Sequence, residues 1–242
     1  MKRMTWIGIV PIVALIVSIG VLTTGWAAGK TATIRGKVVF KGTPPKPQPV
    51  SFGAELQCKQ LRKNNPLYKE DIVVNKNGTL RWVLVYVKSN VKGKFQPPKD
   101  PVVVDQIGCQ FIPHVAAAMV GQPVEFRNSD ALLHNVRADS ETSQSFNLAQ
   151  PVAGMKEVRT FKKPELGIEL KCDVHFWMLG YLHILPHPFF AVTGEDGTFT
   201  IQGLPPGKYT LEAWHEKLGT QTAEVTVKAG EVKEVTFTFS KE

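Results

Sequence analysis

Apolar and polar residues alternate with a period of two along much of this chain, which predicts β-strands. The alternation is clear in residues 32–40, and it is strict in residues 235–239. Residues 80–87 form an apolar, β-branched run after an Asn-Gly turn. Short strands separated by turns predict an all-β chain built of β-sandwiches. We expect no helix beyond the N-terminal segment, because the alanine-rich run 115–120 is too short.

The N-terminal segment has the pattern of an export signal. Lys2 and Arg3 form a basic head, an apolar run follows over residues 6–22, and small residues end at Ala27. Cleavage after Ala27 is the preferred prediction, and residues 1–27 are then a signal peptide. The apolar run is also nearly long enough to span a bilayer, so an uncleaved anchor stays open as the alternative. Both predictions place the rest of the chain in the periplasm or another extracytoplasmic space, with membrane contact only through an uncleaved segment.

The composition is that of a globular protein with a moderate excess of basic residues. The 242 residues are 43% hydrophobic and carry a formal net charge of +8. Lysines and arginines are spread along the chain, and no nucleic-acid-binding motif is present, so we expect a solvated surface and no nucleic-acid partner. Steering toward an acidic partner or a membrane surface is the less favoured interpretation.

The chain has three cysteines, Cys58, Cys109 and Cys172, so one thiol must stay unpaired within the chain. If a metal holds Cys172, then Cys58 and Cys109 are free to form a disulfide in an oxidising compartment. The alternative is three buried free thiols, which is less expected outside the cytoplasm.

A compact set of metal-binding residue types surrounds Cys172. His175 and Met178 follow at intervals of three residues, and His134 lies upstream in a turn-like segment. Two imidazoles, one thiolate and a weak thioether are the ligands of a mononuclear blue-copper site. Zinc is disfavoured because a thioether is a poor zinc ligand. The alternative is a buried free cysteine with incidental histidine and methionine neighbours.

The same residues resemble the cupredoxins, and most closely the amicyanin-like branch, over residues 102–185. The Cys-x-x-His-x-x-Met pattern matches at 172–178, and the upstream series matches at 111–113, 120–128 and 134–136. The resemblance implies a Greek-key β-sandwich that binds one copper ion, with three strong ligands and a long axial Met178. The three strong ligands would be His134, Cys172 and His175. It also implies that Asn135 hydrogen-bonds to the cysteine loop and stiffens it.

The loop departs from the cupredoxin pattern at three positions. Leu170 stands where an aromatic residue is common, and Val174 and Phe176 stand where proline is frequent. These departures leave the four ligands intact. We expect Phe176, Trp177 and Leu179 to flank His175 and, where exposed, to form the surface through which electrons enter and leave.

The remaining histidines receive no ligand role. We expect structural or surface roles for His114, His183, His187 and His215, although a second metal site is the alternative for the first three.

The C-terminal segment carries a second resemblance. Residues 192–199 and 204–209 resemble the carboxypeptidase regulatory-like, or transthyretin-like, β-sandwich, whose first strand has a Gly-x-Val pattern found here at 36–38. That strand is far upstream, which predicts a discontinuous sandwich with the copper domain inserted. The expected divisions are residues 30–98, 99–188 and 189–242, and we expect the first and third to be joined in one sandwich.

The favoured function is that of an exported type 1 copper protein. It would carry single electrons between periplasmic partners, such as a cytochrome or a dehydrogenase, and it would not be an enzyme, because no catalytic constellation is found. One alternative is a non-redox envelope module that binds carbohydrate or protein, or serves as a scaffold. Another alternative is a periplasmic copper-handling protein.

Overall fold

The computed structural model describes residues 30–89 and 91–241. The predicted signal peptide or anchor lies outside these residues. Within the described part, no helix has both the length and the apolar character needed to span a membrane. The elements, in chain order, are β1 (Ala32–Lys41), α1 (Leu56–Leu61), β2 (Leu84–Val87), β3 (Val102–Gln106), β4 (Phe111–Ile112), β5 (Val115–Met119), β6 (Pro123–Asn128), β7 (His134–Ala138), β8 (Phe146–Gln150), β9 (Lys156–Thr160), β10 (Glu165–Lys171), β11 (Leu179–Leu185), β12 (Phe190–Val192), β13 (Thr198–Leu204), β14 (Gly207–His215), β15 (Gly219–Val227) and β16 (Val232–Ser240).

One sandwich joins the beginning and the end of the described chain. Its two sheets have the strand orders β13-β1-β16 and β12-β2-β14-β15. β1 runs parallel to β16 and antiparallel to β13. Buried side chains from both sheets, including Ile34, Leu211 and Phe237, share one core. Gly36 permits the close approach of β16, because a Cβ atom there would lie 1.9 Å from the Val235 carbonyl oxygen.

The other sandwich is built from the middle of the chain. Its sheets have the orders β5-β11-β10-β7-β8 and β4-β3-β6-β9. Phe126, Val136 and Leu182 belong to its core, which is separate from the core of the first sandwich. The prediction of an all-β chain with two β-sandwiches is confirmed. We propose the divisions 30–98, 99–188 and 189–242 as domain boundaries, because strands from the two outer ranges share sheets.

The strand pairing brings the two predicted ligand segments to the same end of the second sandwich. β7 begins at His134, and its antiparallel neighbour β10 ends at Lys171, just before Cys172. β11 then begins at Leu179, just after Met178. Because the start of an antiparallel strand lies beside the end of its neighbour, both segments meet at one edge.

The expectation that no helix follows the N-terminal segment is wrong at α1. This helix has six residues, so an apolar period of 3.6 residues has no room to develop. Only Cys58 is buried in it, and Leu56 and Leu61 face solvent. Long-range bonds from Cys58 and from Arg62, which caps the helix C-terminus, attach α1 to the second sandwich. The alanine-rich run expected not to form a helix is β5, which pairs in parallel with β11.

Candidate metal centre

Three of the predicted ligands converge at the edge formed by β7 and β10. The Nδ1 atoms of His134 and His175 lie 2.9 Å apart, and Cys172 Sγ lies 3.7 Å from His175 Nδ1. One potential ligand atom from each side chain lies within 4.8 Å of the others, and all three residues are buried. Ligands bind ions of this class at roughly 2.0–2.3 Å, so two ligands of one ion are within about 4.6 Å of each other. The spacing and the soft donor set therefore fit one small transition-metal ion.

Met178 closes the loop that carries Cys172 and His175. Its backbone N–H donates to the His175 carbonyl oxygen at 2.8 Å, and its own carbonyl oxygen accepts from Cys172 N–H at 3.4 Å. The Met178 side chain is buried in the same core cluster as Cys172. The loop therefore places a thiol, an imidazole and a thioether in one buried region.

Asn135 connects the two ligand segments. Its Oδ1 atom accepts a hydrogen bond from the backbone N–H of Asp173 at 2.7 Å and one from Cys172 Sγ at 3.3 Å. Its Nδ2 atom donates to Asn147 Oδ1 at 2.7 Å and to Asp173 Oδ2 at 3.2 Å. The structure thus places Asn135 where it constrains the cysteine loop, as the cupredoxin resemblance implies.

The surroundings of Cys172 favour the thiolate that a metal site needs. Burial alone raises the pKa of its thiol, but hydrogen bonds with His134 and His175 outweigh burial and lower the pKa to about 6. A large share of the cysteine is therefore ionised near neutral pH even before metal binding, which reduces the cost of displacing its proton.

Asp130 contacts a candidate ligand, and the sequence reasoning did not assign it a role. Its Oδ2 atom lies 2.9 Å from His134 Nε2, on the side of the ring opposite Nδ1. Burial lowers the pKa of His134, but the hydrogen bonds to Asp130 and Cys172 outweigh it and raise the pKa. Asp130 therefore fixes the ring orientation and leaves Nδ1 facing His175. Its position four residues before His134, in an Asn-Ser-Asp turn, was the available signal.

A turn at residues 107–109 holds Asp130 in place. The N–H groups of Gly108 and Cys109 donate to its two carboxylate oxygens at 2.6 and 2.8 Å. Both residues have a left-handed φ, 64° at Gly108 and 60° at Cys109, which turns successive N–H groups toward one anion. A side chain at Gly108 would also meet the guanidinium of Arg62, 2.5 Å from the added Cβ.

A segment from the first part of the chain covers the centre. We call residues 50–63 the cover segment; it contains α1 and is bonded to the turn by the Cys58–Cys109 disulfide. Glu55 Oε2 lies 4.0 Å from His175 Nε2, and the ring of Phe52 packs at 5.2 Å against Trp177. His175, next to this segment, is only 1% exposed.

The three residues expected to form an electron-transfer surface are exposed to different degrees. Phe176 is 83% exposed, whereas Trp177 and Leu179 are half-buried. The Trp177 ring centroid lies 5.1 Å from that of His175 and 5.5 Å from that of Phe176. The exposed aromatic ring therefore connects to His175 through Trp177.

The other four histidines stay outside this centre. His114 contacts the Leu179 carbonyl oxygen and the Glu216 carboxylate, and His187 Nε2 contacts the Val87 carbonyl oxygen at 2.9 Å. Burial lowers the pKa of His183 to about 3 and that of His215 to about 4. Among the described residues, none of these four joins a group of side chains spaced to hold a metal ion.

Comparison with known proteins gives one family match. The model of the carboxypeptidase regulatory-like domain matches residues 187–240. The resemblance of the C-terminal segment to that domain is therefore confirmed. No curated protein matches the chain.

The chain is also similar to solved copper proteins over part of its length. A Cu-containing nitrite reductase from Thermus scotoductus is 27% identical, over 41% of this chain and 25% of that one, with a TM-score of 0.33. A purple cupredoxin from Nitrosopumilus maritimus is 17% identical over 34% of this chain and 98% of that one, with a TM-score of 0.30. An amicyanin mutant in its Cu(I) form is 19% identical over 41% and 97%, with a TM-score of 0.31.

Proposed function

We propose that this protein is an exported type 1 copper protein that carries single electrons between redox partners. One observation carries the proposal: buried ligand atoms of His134, Cys172 and His175 converge within 4.8 Å, in a loop closed by Met178. When bound there, copper would supply a one-electron Cu(II)/Cu(I) couple. Thiolate and thioether favour Cu(I) and imidazole suits both states, so this donor set fits copper better than zinc.

The protein's own groups would keep this centre rigid. Asn135 and Asp130 hold the cysteine loop and the His134 ring from two sides. Hydrogen bonds of this kind limit the movement of the ligands between oxidation states, which suits electron transfer. We propose a carrier role rather than catalysis, because water and substrate have little access to candidate ligands that are almost fully buried.

Phe176 and Trp177 provide the route that we propose for electrons. The exposed Phe176 ring contacts Trp177, and Trp177 contacts His175. An exposed aromatic residue is a typical contact for another protein. We propose a periplasmic redox protein as partner, such as a cytochrome or a dehydrogenase. The Cys58–Cys109 disulfide supports export to an oxidising compartment.

Adding Cu(II) to the purified metal-free protein tests the proposal. We expect one copper ion per chain and an intense thiolate-to-copper absorption band in the visible region. Cys172→Ser should abolish the band, and His134→Ala should weaken copper binding sharply. His187→Gln is the matched control, because it alters a buried histidine outside the metal group. A protein that stays colourless with an unchanged spectrum, both with the Cys58–Cys109 disulfide intact and after reduction and reoxidation in the presence of copper, would refute the proposal and favour a non-redox binding or scaffold role.

A further inference from the structure

The turn at residues 107–109 links every part of the candidate metal centre. Its N–H groups hold Asp130, which holds His134. The Cys109 carbonyl oxygen accepts a hydrogen bond from Trp177 Nε1 at 3.1 Å, in the loop of the other ligands. The Gly108 carbonyl oxygen accepts from Arg62 Nε at 2.6 Å, in the cover segment. A change in the conformation of this turn would therefore disturb both ligand segments and the cover segment.

The disulfide is the covalent part of this linkage. Cys58 and Cys109 are both buried, and their bond fastens the cover segment to the turn. At its other end the segment is tied by Val50 N–H, which donates to the Leu67 carbonyl oxygen at 2.9 Å. With both ends fixed, Glu55 and Phe52 stay over His175 and Trp177. An ion from solvent then has no open approach to His175, which is almost fully buried.

A second group of potential ligands lies at this same disulfide. Atoms of Cys109, Asp130 and His134 lie within 4.8 Å of one another, and all three residues are buried. This group faces Nε2 of His134, whereas the centre described above faces Nδ1. As a disulfide, Cys109 offers no thiolate. As a thiol it adds a soft donor beside Asp130, and Cys58, its bonding partner, adds a second one.

We propose that Cys58 and Cys109, as free thiols, form an uptake site for a soft monovalent ion such as Cu(I). Their oxidation then closes the metal centre beneath the cover segment. This inference rests on the proposed function, since the ion is passed on to His134, Cys172 and His175. Two thiolates with an imidazole suit Cu(I), and the neighbouring Asp130 carboxylate adds negative charge for a cation.

The chemistry of each step balances. Uptake of Cu(I) by Cys58 and Cys109 releases their two thiol protons to solvent. Passing the ion onward changes no oxidation state: Cys58 and Cys109 take up two protons again, and Cys172 releases its own thiol proton as it binds the ion. The two thiols then lose two electrons and two protons to a disulfide oxidant, which becomes a dithiol, and one S–S bond forms between Cys58 and Cys109. Reopening requires a dithiol or phosphine reductant. The expected order during maturation is metal first and disulfide second.

Two variants distinguish ion uptake by the cysteine thiols from simple entry of the ion when the cover segment opens. Cys58→Ser and Cys109→Ser both remove the disulfide and leave one thiol, but only Cys58→Ser keeps the thiol of Cys109, which lies within 4.8 Å of ligand atoms of Asp130 and His134. We supply Cu(I) as its bicinchoninate complex without oxygen and follow loss of the complex colour with time. Uptake should be about tenfold faster in Cys58→Ser than in Cys109→Ser, a difference typical of lost metal-site groups. Circular dichroism and amide hydrogen exchange over residues 50–63 verify equal folding and equal opening.

The Cys172→Ser variant tests whether the uptake site binds on its own. With the disulfide reduced, it should bind one Cu(I) per chain; with the disulfide intact, it should bind none. Equal uptake by the two serine variants, or uptake by the oxidised wild type as fast as by the reduced one, would overturn the inference and leave the proposed function standing. Failure of every form to bind Cu(I) or Cu(II) would overturn both.

Discussion

Replacing Asp130 by asparagine should weaken both the fold and the metal centre. The carboxylate accepts hydrogen bonds from three donors: Gly108 N–H, Cys109 N–H and His134 Nε2. An amide has one oxygen and a donor NH₂ group, so at least one of these donors loses its acceptor. Leaving a buried donor unpaired costs roughly 1–3 kcal/mol, and a hydrogen bond to a charged group is worth about 1.5–3 kcal/mol. We expect Asp130→Asn to lower the free energy of unfolding by about 3 kcal/mol on this basis.

Urea denaturation of the metal-free, disulfide-intact protein measures this loss. Asp139→Asn is the control, because Asp139 is exposed and its ion pair among the described residues is with Arg137, at 3.3 Å. Substitutions at exposed positions of this kind change the free energy of unfolding by no more than about 0.5 kcal/mol. Competition with a chelator should also show metal affinity reduced by about 10–100-fold in Asp130→Asn, because its partner no longer orients the His134 ring. If Asp130→Asn behaves like the control in both measurements, then the assignment of Asp130 as the positioning group for His134 is wrong.

Three further outcomes are expected. Met178→Leu should retain copper but shift its reduction potential in voltammetry, since the axial ligand tunes the site; loss of the metal would contradict this. Burial lowers the pKa of His183 to about 3, so between about pH 6.5 and pH 3 the His183 ring takes up a proton in the unfolded state but not in the folded state. The free energy of unfolding should therefore fall as the pH drops from about 6.5, by up to about 1.4 kcal/mol per pH unit. Denaturation measured at several pH values should show a flatter pH dependence in His183→Gln. An unchanged slope would argue against a buried neutral ring. Gly36→Ala should lower the free energy of unfolding by at least about 1–3 kcal/mol, because the added Cβ would overlap the Val235 carbonyl oxygen. Gly194→Ala is the control and should be nearly neutral, because there is open space around Gly194. Equal thermal midpoints for the two variants would refute this prediction.

The candidate ligand set could be proposed from the sequence because its signal is local. Cys172, His175 and Met178 lie within one loop, and residue type alone indicates the chemistry. His134 was already a candidate by residue type, and the cupredoxin resemblance supported its pairing with this loop, which is distant from it in the sequence. The strands were also accessible, because two-residue alternation in β1 and β16 directly reflects one buried face.

The cover segment could not be predicted for a physical reason. Its helix exposes Leu56 and Leu61, so no apolar period marks it, and its position depends on bonds to partners far along the chain. The role of Asp130 was hidden for the same reason, since the backbone N–H groups that orient it belong to a distant turn and leave no trace in residue type. Contacts of this kind follow from the folded topology and not from local pattern.

The parallel pairing of β1 with β16 constrains the order in which the chain assembles. β1 leaves the ribosome early, yet both of its sheet neighbours, β13 and β16, are among the last strands to be made. The middle sandwich uses only contiguous residues, so its formation closes the long loop and brings residues 98 and 189 into reach of each other. Cys58 precedes this sandwich and Cys109 lies within it, so we expect their disulfide to be able to form before β13 and β16 complete the outer sandwich.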